Sequence, residues 1–397
     1  MKILVLNAGS SSLKYQLIDM NGEVVLCKGV AEKITDEGSF LTHKLGGETY
    51  TIMHDMPDHK VALKLILDTL CDAKLGVIKS LKEVDAIGHR VLHGADDFKQ
   101  SVLVDDEVIR ICKKNEPFGP LHMPANIACM EICREMLPVP NVAVFDTAFH
   151  QTMPPYAFRY ALPDADYREL RVRKYGFHGT SHKFVAGEAA RISGRDDLKL
   201  ITCHLGNGAS VGAIKDGKIM DTSMGFTPLE GLVMGTRSGD IDPAVIPFIM
   251  KSRGIDDIGY FVDKYLNKMS GMKGIAGKSD CRDLQQASEA GDEMATLALD
   301  MFAYRVKKYI GSYAAVLGGV DFIVMTGGIG ENSDFMRAKI LKGLEFLGVE
   351  FDEEANKGAR GVVKKISKPS SKVDVYVIPT NEELVIARDT LALATAK

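Results

Sequence analysis

The chain has 397 residues, 46% hydrophobic and 26% charged, with a formal net charge of -4. Single cores stop growing near ~250–300 residues, so two domains are expected, and the mildly acidic balance offers no basic face for nucleic acid. No apolar run approaches the ~20 residues of a membrane helix, and five residues between Lys2 and Ala8 are too few for a signal peptide. Seven cysteines without a CxxC pair suit reduced thiols in a cytosol. A cytoplasmic protein is expected. Cys129 and Cys133 stand four apart on a predicted helix, which core packing explains better than a metal.

Taken in order, Lys2–Leu6 and Leu13–Ile18 are apolar runs around Asn7-Ala8-Gly9-Ser10-Ser11-Ser12, which predicts strand, glycine turn, strand. Gly9 permits close backbone approach, and the serine hydroxyls, Ser10 and Ser12 among them, with Lys14 could serve a phosphate; an ordinary solvated hairpin is the plain alternative. Asn21-Gly22 predicts a turn into a third strand, Glu23–Gly29, and 31–56 reads as strands and loops. Asp58–Cys71 has helical spacing, Val84–Gly88 is a strand, and Pro124–Leu137 is a helix with proline in its first turn. Asn141–Phe145 is a buried strand that delivers Asp146 at its C-terminal end, where open α/β sheets place their chemistry.

The proline- and aromatic-rich Gln151–Pro163 has no period and is taken as the crossing between domains. Thr180 or Ser181 is expected to cap a helix to about Ile192. Leu198–His204 is a strand leading into a hairpin that turns at Asp216-Gly217. Asp242-Pro243 is expected to cap and begin a helix ending near Arg253. Asp292–Leu317 is the longest helix, with Leu297, Met301, Val306, Ile310 and Leu317 as inward candidates and Gly318-Gly319 as its stop. Asp321–Met325 is a strand running into TGGIGENS, Val373–Ile378 is another, and Asn381–Ala394 is a closing helix.

A faint repeat underlies this order. Strand–LNAGSSS–strand, followed later by strand–GHRVLHG, corresponds to strand–HLGNGAS–strand, followed later by strand–TGGIGENS. Two such units about two hundred residues apart predict duplicated α/β domains facing a cleft.

Gly206, Gly208 and Gly212 imitate a dinucleotide fingerprint, but the residues that follow alternate and turn, giving a strand where that motif needs a helix. No GxxxxGK[ST] occurs. Arg90 follows a strand end, and Arg237 lies in the glycine-rich Gly235-Thr236-Arg237-Ser238-Gly239-Asp240. Each is either a solvated arginine or a fork for carboxylate or phosphate. His178 and His182, in GFHGTSH, lack the glutamate of HExxH and have a glycine where the helix starts, which argues against zinc. His182 suits a cap or core, and His178 a polar contact with a ligand. His122 is in a proline-bounded turn, where a structural hydrogen bond serves equally well. Asp146 is either the ionic partner of an arginine or a functional carboxylate.

Together these segments resemble the acetate kinase family. NAGSSSLKYQL, VFDTAFHQTMPPYA, RKYGFHGTSH, ITCHLGNGAS, TSMGFTPLEG, GIGENS and IPTNEEL stand in family order across essentially the whole chain. The resemblance implies two duplicated actin-like (ribonuclease H-like) domains, shared with sugar kinases and heat-shock ATPases: 1–150 plus 382–397, and 151–381 with nucleotide binding and a homodimer interface. It implies reversible transfer of a phosphoryl group from ATP to acetate, giving acetyl phosphate and ADP. Mg2+ is implied as the metal, and oxygen ligands would also suit Mn2+.

By matching motif, Arg90 and Arg237 would hold the acetate carboxylate and the phosphoryl group, His178 would stabilise the transition state, and Asp146 is the family's essential acid. Asn7 and Glu382 would place the metal. Ser10, Ser12, Lys14, His204, Leu205, Gly206, Asn207, Gly208, Asp280, Cys281, Arg282, Gly328, Ile329, Gly330, Glu331 and Asn332 would serve ATP. Leu92, Leu121, Phe177 and Pro228 would surround the methyl group, with His122 beside them.

The chain departs from the usual family pattern at His93-Gly94-Ala95, at Leu121-His122-Met123-Pro124, and at Asp280-Cys281-Arg282-Asp283, where contacts near adenine would differ. Leu92 stands where valine is common, a bulkier wall that favours acetate over propionate. A propionate or butyrate kinase on the same scaffold is the near alternative. A chaperone-like ATPase without an acceptor acid is the distant one, and a dehydrogenase is weakened by the hairpin after Gly208.

Overall fold

The computed structural model describes residues 1–396 as two compact units, one spanning Met1–Phe149 and the closing segment from Asn381, the other His150–Thr380. The first contains β1 (Lys2–Ala8), β2 (Ser12–Asp19), β3 (Val24–Glu32), β4 (Phe40–Leu45), β5 (Glu48–Met53), β6 (Ala86–Val91), β7 (Val102–Leu103) and β8 (Asn141–Phe145). The second contains β9 (Lys199–Leu205), β10 (Ala209–Lys215), β11 (Lys218–Thr222), β12 (Phe322–Thr326), β13 (Lys364–Lys365) and β14 (Asp374–Val377).

The sheets run β5-β4-β3-β2-β1-β6-β8-β7 and β11-β10-β9-β12-β14-β13. In the first, β1 is antiparallel to β2 and parallel to β6, which is parallel to β8. In the second, β9 is antiparallel to β10 and parallel to β12, which is parallel to β14. Each sheet therefore holds an antiparallel meander followed by two parallel strands in one shared order. The duplicated α/β architecture expected from the repeat is present, with β4, β5, β7 and β13 as edge additions.

Strand β1 is apolar on both faces because both are covered. Leu4, Leu6 and Ala8 join a core with the helices His59–Leu70 and Met123–Met136. Ile3 and Val5 join Val142, Val144, Ile386 and Ala387 beneath the closing helix Glu382–Thr395. That helix returns the chain to its first unit and lies directly on Gly88, where a Cβ would come within 2.5 Å of Thr390 Oγ1 and 2.6 Å of Ile386 Cγ2.

Several local expectations change. His178, not Thr180 or Ser181, occupies the N-cap of Gly179–Ser193, in the left-handed region at φ 57, and both hydroxyl residues are buried inside the helix. The helix after Asp242-Pro243 begins at Val245, because the Asp242 side chain accepts from Ala244 N and forms a local turn first. On the helix Glu293–Leu317, Leu297 and Met301 are 45% and 39% exposed. Leu299, Phe302, Val306, Ile310 and Leu317 form the buried row, so two of the inward candidates belong to the adjacent solvent-facing row. TGGIGENS is a short helix, Gly327–Asn332, rather than a turn. No described helix is long and apolar enough to cross a membrane.

Candidate active site

In the first unit, three strand ends converge. Asn7 is next to last in β1, opposite Lys14 of β2, Arg90 is near the end of β6, and Asp146 follows β8. Asp146 is 1% exposed and holds Arg90 in a fork, with Nε donating to one carboxylate oxygen at 3.2 Å and Nη2 to the other, while Nη1 donates to Asn7 Oδ1 at 3.3 Å. A bidentate pair fixes the plane of the guanidinium as well as its place. Burial opposes the Arg90 cation, but the charges of Asp146, Glu382 and Glu383 outweigh it and raise its pKa. Glu382 opens the closing helix, whose cap is Asn381 accepting from Leu384 N at 3.1 Å.

The supports are local. Asn126 donates to Ala8 O at 2.7 Å and accepts from Leu92 N at 2.9 Å, tying the ends of β1 and β6 together. His59 Nε2 donates to Gly9 O at 2.7 Å, and Gly9 N to Ser12 O at 2.7 Å, shaping the turn that exposes Ser10 and leaves Ser12 half-buried. Lys14 is exposed. Leu92 lies under Gly119, whose Cβ would come within 2.9 Å of it, while Leu121 is 63% exposed and His122 is also exposed.

In the second unit, Gly208, His178 and Arg237 converge: a Cβ on Gly208 would stand 3.3 Å from Arg237 Nη1 and 3.7 Å from His178 Nε2. Gly235 must also be bare, since its Cβ would overlap Asn207 Oδ1 at 1.7 Å. Arg237 donates to Pro228 O at 3.3 Å, and no carboxylate among the described residues lies within ion-pair distance of it. Burial lowers its pKa. A desolvated guanidinium without a counter-charge is a receptor for an anion. Phe177 is buried beside His178 and Pro228 is half-buried.

A hydrogen-bonded chain backs His178. Ser210 Oγ lies 2.9 Å from His178 Nδ1 and 2.8 Å from His182 Nε2, and His182 Nδ1 lies 2.7 Å from Thr202 Oγ1. Burial, then the charges of His150 and His204, hold His182 well below the ordinary histidine range, so it is neutral. Donation can run either way along this chain, and the direction from Thr202 through His182 and Ser210 is the one that leaves a neutral His178 with its proton on Nε2. The His178 and His204 rings stack at 4.2 Å, and Ser181 bonds His204 Nδ1 at 2.7 Å. His178 and His182 thus share Ser210 as a hydrogen-bond partner.

Beside this lies a pocket of about 700 Å³ lined by Gly206, Asn207, Asp280, Cys281, Arg282, Gly328, Ile329 and Asn332, together with Ser279, Gln285, Ser333, Asp334 and Arg360. Asp280 caps the helix Cys281–Glu289 and pairs with Arg282 at 2.7 Å, and that hydrogen bond pulls its pKa down to about 2. Glu331 is turned away from the pocket to accept from Gly327 N at 2.9 Å and Thr380 N at 3.0 Å, and Gly330 is buried over Arg337, whose Nη1 donates to Gly330 O at 2.9 Å. Leu205 is buried in β9 and does not line the pocket.

A family model for the acetokinase family matches residues 2–388. The chain belongs to the acetokinase family. It is 56% identical over 396 residues to the acetate kinase of Thermotoga maritima, covering 98% of each, and 55% identical to that of Acetivibrio thermocellus, covering 99% of each. The crystal structure of Porphyromonas gingivalis acetate kinase superposes with TM-score 0.96 at 48% identity, and a propionate kinase of Francisella tularensis with 0.92 at 41%, each covering 99% of both chains.

Within this acetokinase, residues missed by sequence reasoning fall in two groups. Ser210 and Thr202 bond the histidines, Asn126 and Arg337 hold backbone groups near the motifs, and none of the four carries a local motif. Ser279, Gln285, Ser333, Asp334 and Arg360 line the pocket from segments far apart in the chain. Ser279 and Ser333 flank recognised motifs, and that adjacency was the available signal.

Proposed function

We infer that this acetokinase is an acetate kinase, transferring a phosphoryl group reversibly from ATP to acetate to give acetyl phosphate and ADP. The observation that carries the reading is the contrast between its arginines: Arg90 is fixed by Asp146, while Arg237 is desolvated beside His178 and Gly208 with no carboxylate to neutralise it. An acetate carboxyl is ionised at pH 7, so the nucleophile needs no general base. The barrier lies in bringing one anion against another and in the charge spread over the equatorial oxygens, which is a problem of positioning and electrostatics.

Arg90 serves the acceptor carboxylate, and Asp146 orients that arginine rather than moving a proton. Arg237 and the Nε2–H of His178 donate to the phosphoryl oxygens during direct in-line transfer. The pocket along Asp280–Arg282 and Gly328–Asn332 takes the adenosine part of ATP, and Gly206–Gly208 the phosphates. Leu92 limits the acid's chain length, one methylene being worth ~1–3 kcal/mol of discrimination.

The oxygen donors of Asn7 and Glu382 fit Mg2+, and Mn2+ as well. Three carboxylates, Asp146, Glu382 and Glu383, act on the single Arg90 cation, an excess of negative charge that suits a divalent ion. When bound, the ion supplies neutralisation of the transferring phosphates. A homodimer through the second unit is supported by Met294, Leu297, Met301 and Tyr304, exposed along one row of the long helix. A cytoplasmic location fits these substrates.

The test is acyl phosphate trapped as hydroxamate with acetate, propionate and butyrate in turn. The rate is expected to be highest with acetate and to depend on Mg2+. A higher rate on a longer acid would establish the propionate or butyrate kinase reading instead.

A further inference from the structure

Outside the catalytic residues, the helix Met123–Met136 presents Cys129 and Cys133 one turn apart on a single face. His89 of β6 meets that face, since strand alternation sends Gly88 toward the closing helix and His89 the other way. One ligand atom from each of the three lies within 4.8 Å of the others, and the residues are 3%, 3% and 0% exposed for His89, Cys129 and Cys133. The histidine tautomer is fixed from outside. Asn141 donates through Nδ2 to Val139 O at 2.8 Å, so its Oδ1, 2.7 Å from His89 Nε2, accepts the ring proton. Nδ1 keeps its lone pair and is the ring nitrogen left to act as a ligand. An outer amide or carbonyl that orients a metal-binding imidazole works in this way.

We propose that His89, Cys129 and Cys133 form a buried binding site for a thiophilic d10 cation, with Zn2+ as its type. The donors are soft, and no aspartate or glutamate belongs to the cluster, which disfavours Mg2+. Binding replaces two thiol protons, released to solvent, with two metal–sulfur bonds and one metal–nitrogen bond. Two thiolates, a neutral imidazole and a divalent ion sum to zero charge, which the surrounding apolar core of Leu4, Leu6, Ile87 and Leu137 can hold. Metal–ligand lengths of ~2.0–2.3 Å call for ligand atoms about 3.5–4 Å apart, a contraction of roughly 1.3 Å at most from the 4.8 Å within which they now lie. The same helix carries Asn126, which ties β1 to β6, so an occupied site braces the strand bearing Arg90 without entering the reaction. The site is independent of the acetate reading.

The test uses the full chain produced in medium supplemented with Zn2+ or Co2+, reduced with a phosphine and desalted. About one equivalent of metal per chain is expected, with a thiolate-to-cobalt charge-transfer band and a higher melting temperature than metal-poor protein. Cys129→Ala and Cys133→Ala should each lose metal and band, while Cys71→Ala keeps both. Should those variants fail to fold, X-ray absorption on the unaltered cobalt protein decides the matter: a shell with two sulfurs and one imidazole nitrogen supports the site, and an oxygen shell overturns it. Substoichiometric metal without a thiolate band would leave these residues as core packing and overturn the proposal.

Discussion

At the scale of single residues, Asp146 and Arg237 make opposite demands. Asp146 is buried because Arg90 neutralises it, so Asp146→Asn keeps the shape and removes one side of the fork. Misplacing a positioning group costs ~10²-fold, and turnover should fall by that order with the fold intact. Turnover near that of the unaltered enzyme would remove Asp146 from the mechanism. Arg237 has no such partner, so Arg237→Ala leaves no orphaned carboxylate and should fold normally. If it donates to developing charge as proposed, its loss should lower kcat ~10²–10³-fold. Arg237→Lys should recover only part, because an ammonium cannot reproduce the fork. A rise in KM for ATP with kcat unchanged would show that Arg237 binds ground state and transition state alike and takes no special part in the transfer.

At the scale of elements, the closing helix and β6 are packed without clearance at Gly88. Gly88→Ala would drive a methyl into Thr390 and Ile386, and overpacking of this kind costs ~1–3 kcal/mol. Thermal melting should shift down by a few degrees, and an unchanged melting temperature would mean the helix has room to move. Elements set by local period were readable from the chain: the β1–β2 hairpin, Asn141–Phe145 with Asp146 at its end, and the long helix with Asp292 and Gly318 as its stops. Where tertiary contacts decide, sequence fell short. His178 takes the cap position because its ring is held by Ser210 and stacked on His204, and although histidine visits φ 57 more readily than most side chains, nothing local in the sequence picks this one out. Leu297 and Met301 are apolar but face outward, and period alone cannot tell which of two neighbouring rows meets the sheet. Glu331 sits inside a recognised motif yet spends its carboxylate on backbone amides, an accounting that only coordinates display. The cluster of His89 with Cys129 and Cys133 joins a strand to a helix that sequence does not bring together.

At the scale of the whole molecule, stability should depend on acid. Burial drives His150 down to about 4, and the hydrogen bond to Phe177 O offsets only part of this. Between that value and the ordinary 6.5, the unfolded chain binds a proton at this residue that the native one does not. Unfolding is therefore favoured as pH falls through that window, and the contribution is fully present above pH 6.5. At 1.36 kcal/mol per unit, His150 alone accounts for about 3 kcal/mol between pH 6.5 and 4. His182 shifts in the same direction and adds to it. The melting temperature should drop on acidification across this range, and His150→Gln should flatten the profile. A profile unchanged by that substitution would place the acid sensitivity elsewhere.

An enzyme whose arginines wait for an acceptor anion should release ADP only when the acid is present. The decisive measurement is the ratio of ADP released to hydroxamate formed, on magnesium ATP, with and without acetate. With acetate the two should rise together in equal amounts, and without it ADP release should be near zero. ADP release at the same rate whether or not acetate is added, with no hydroxamate, would contradict the account and leave an ATPase on this fold.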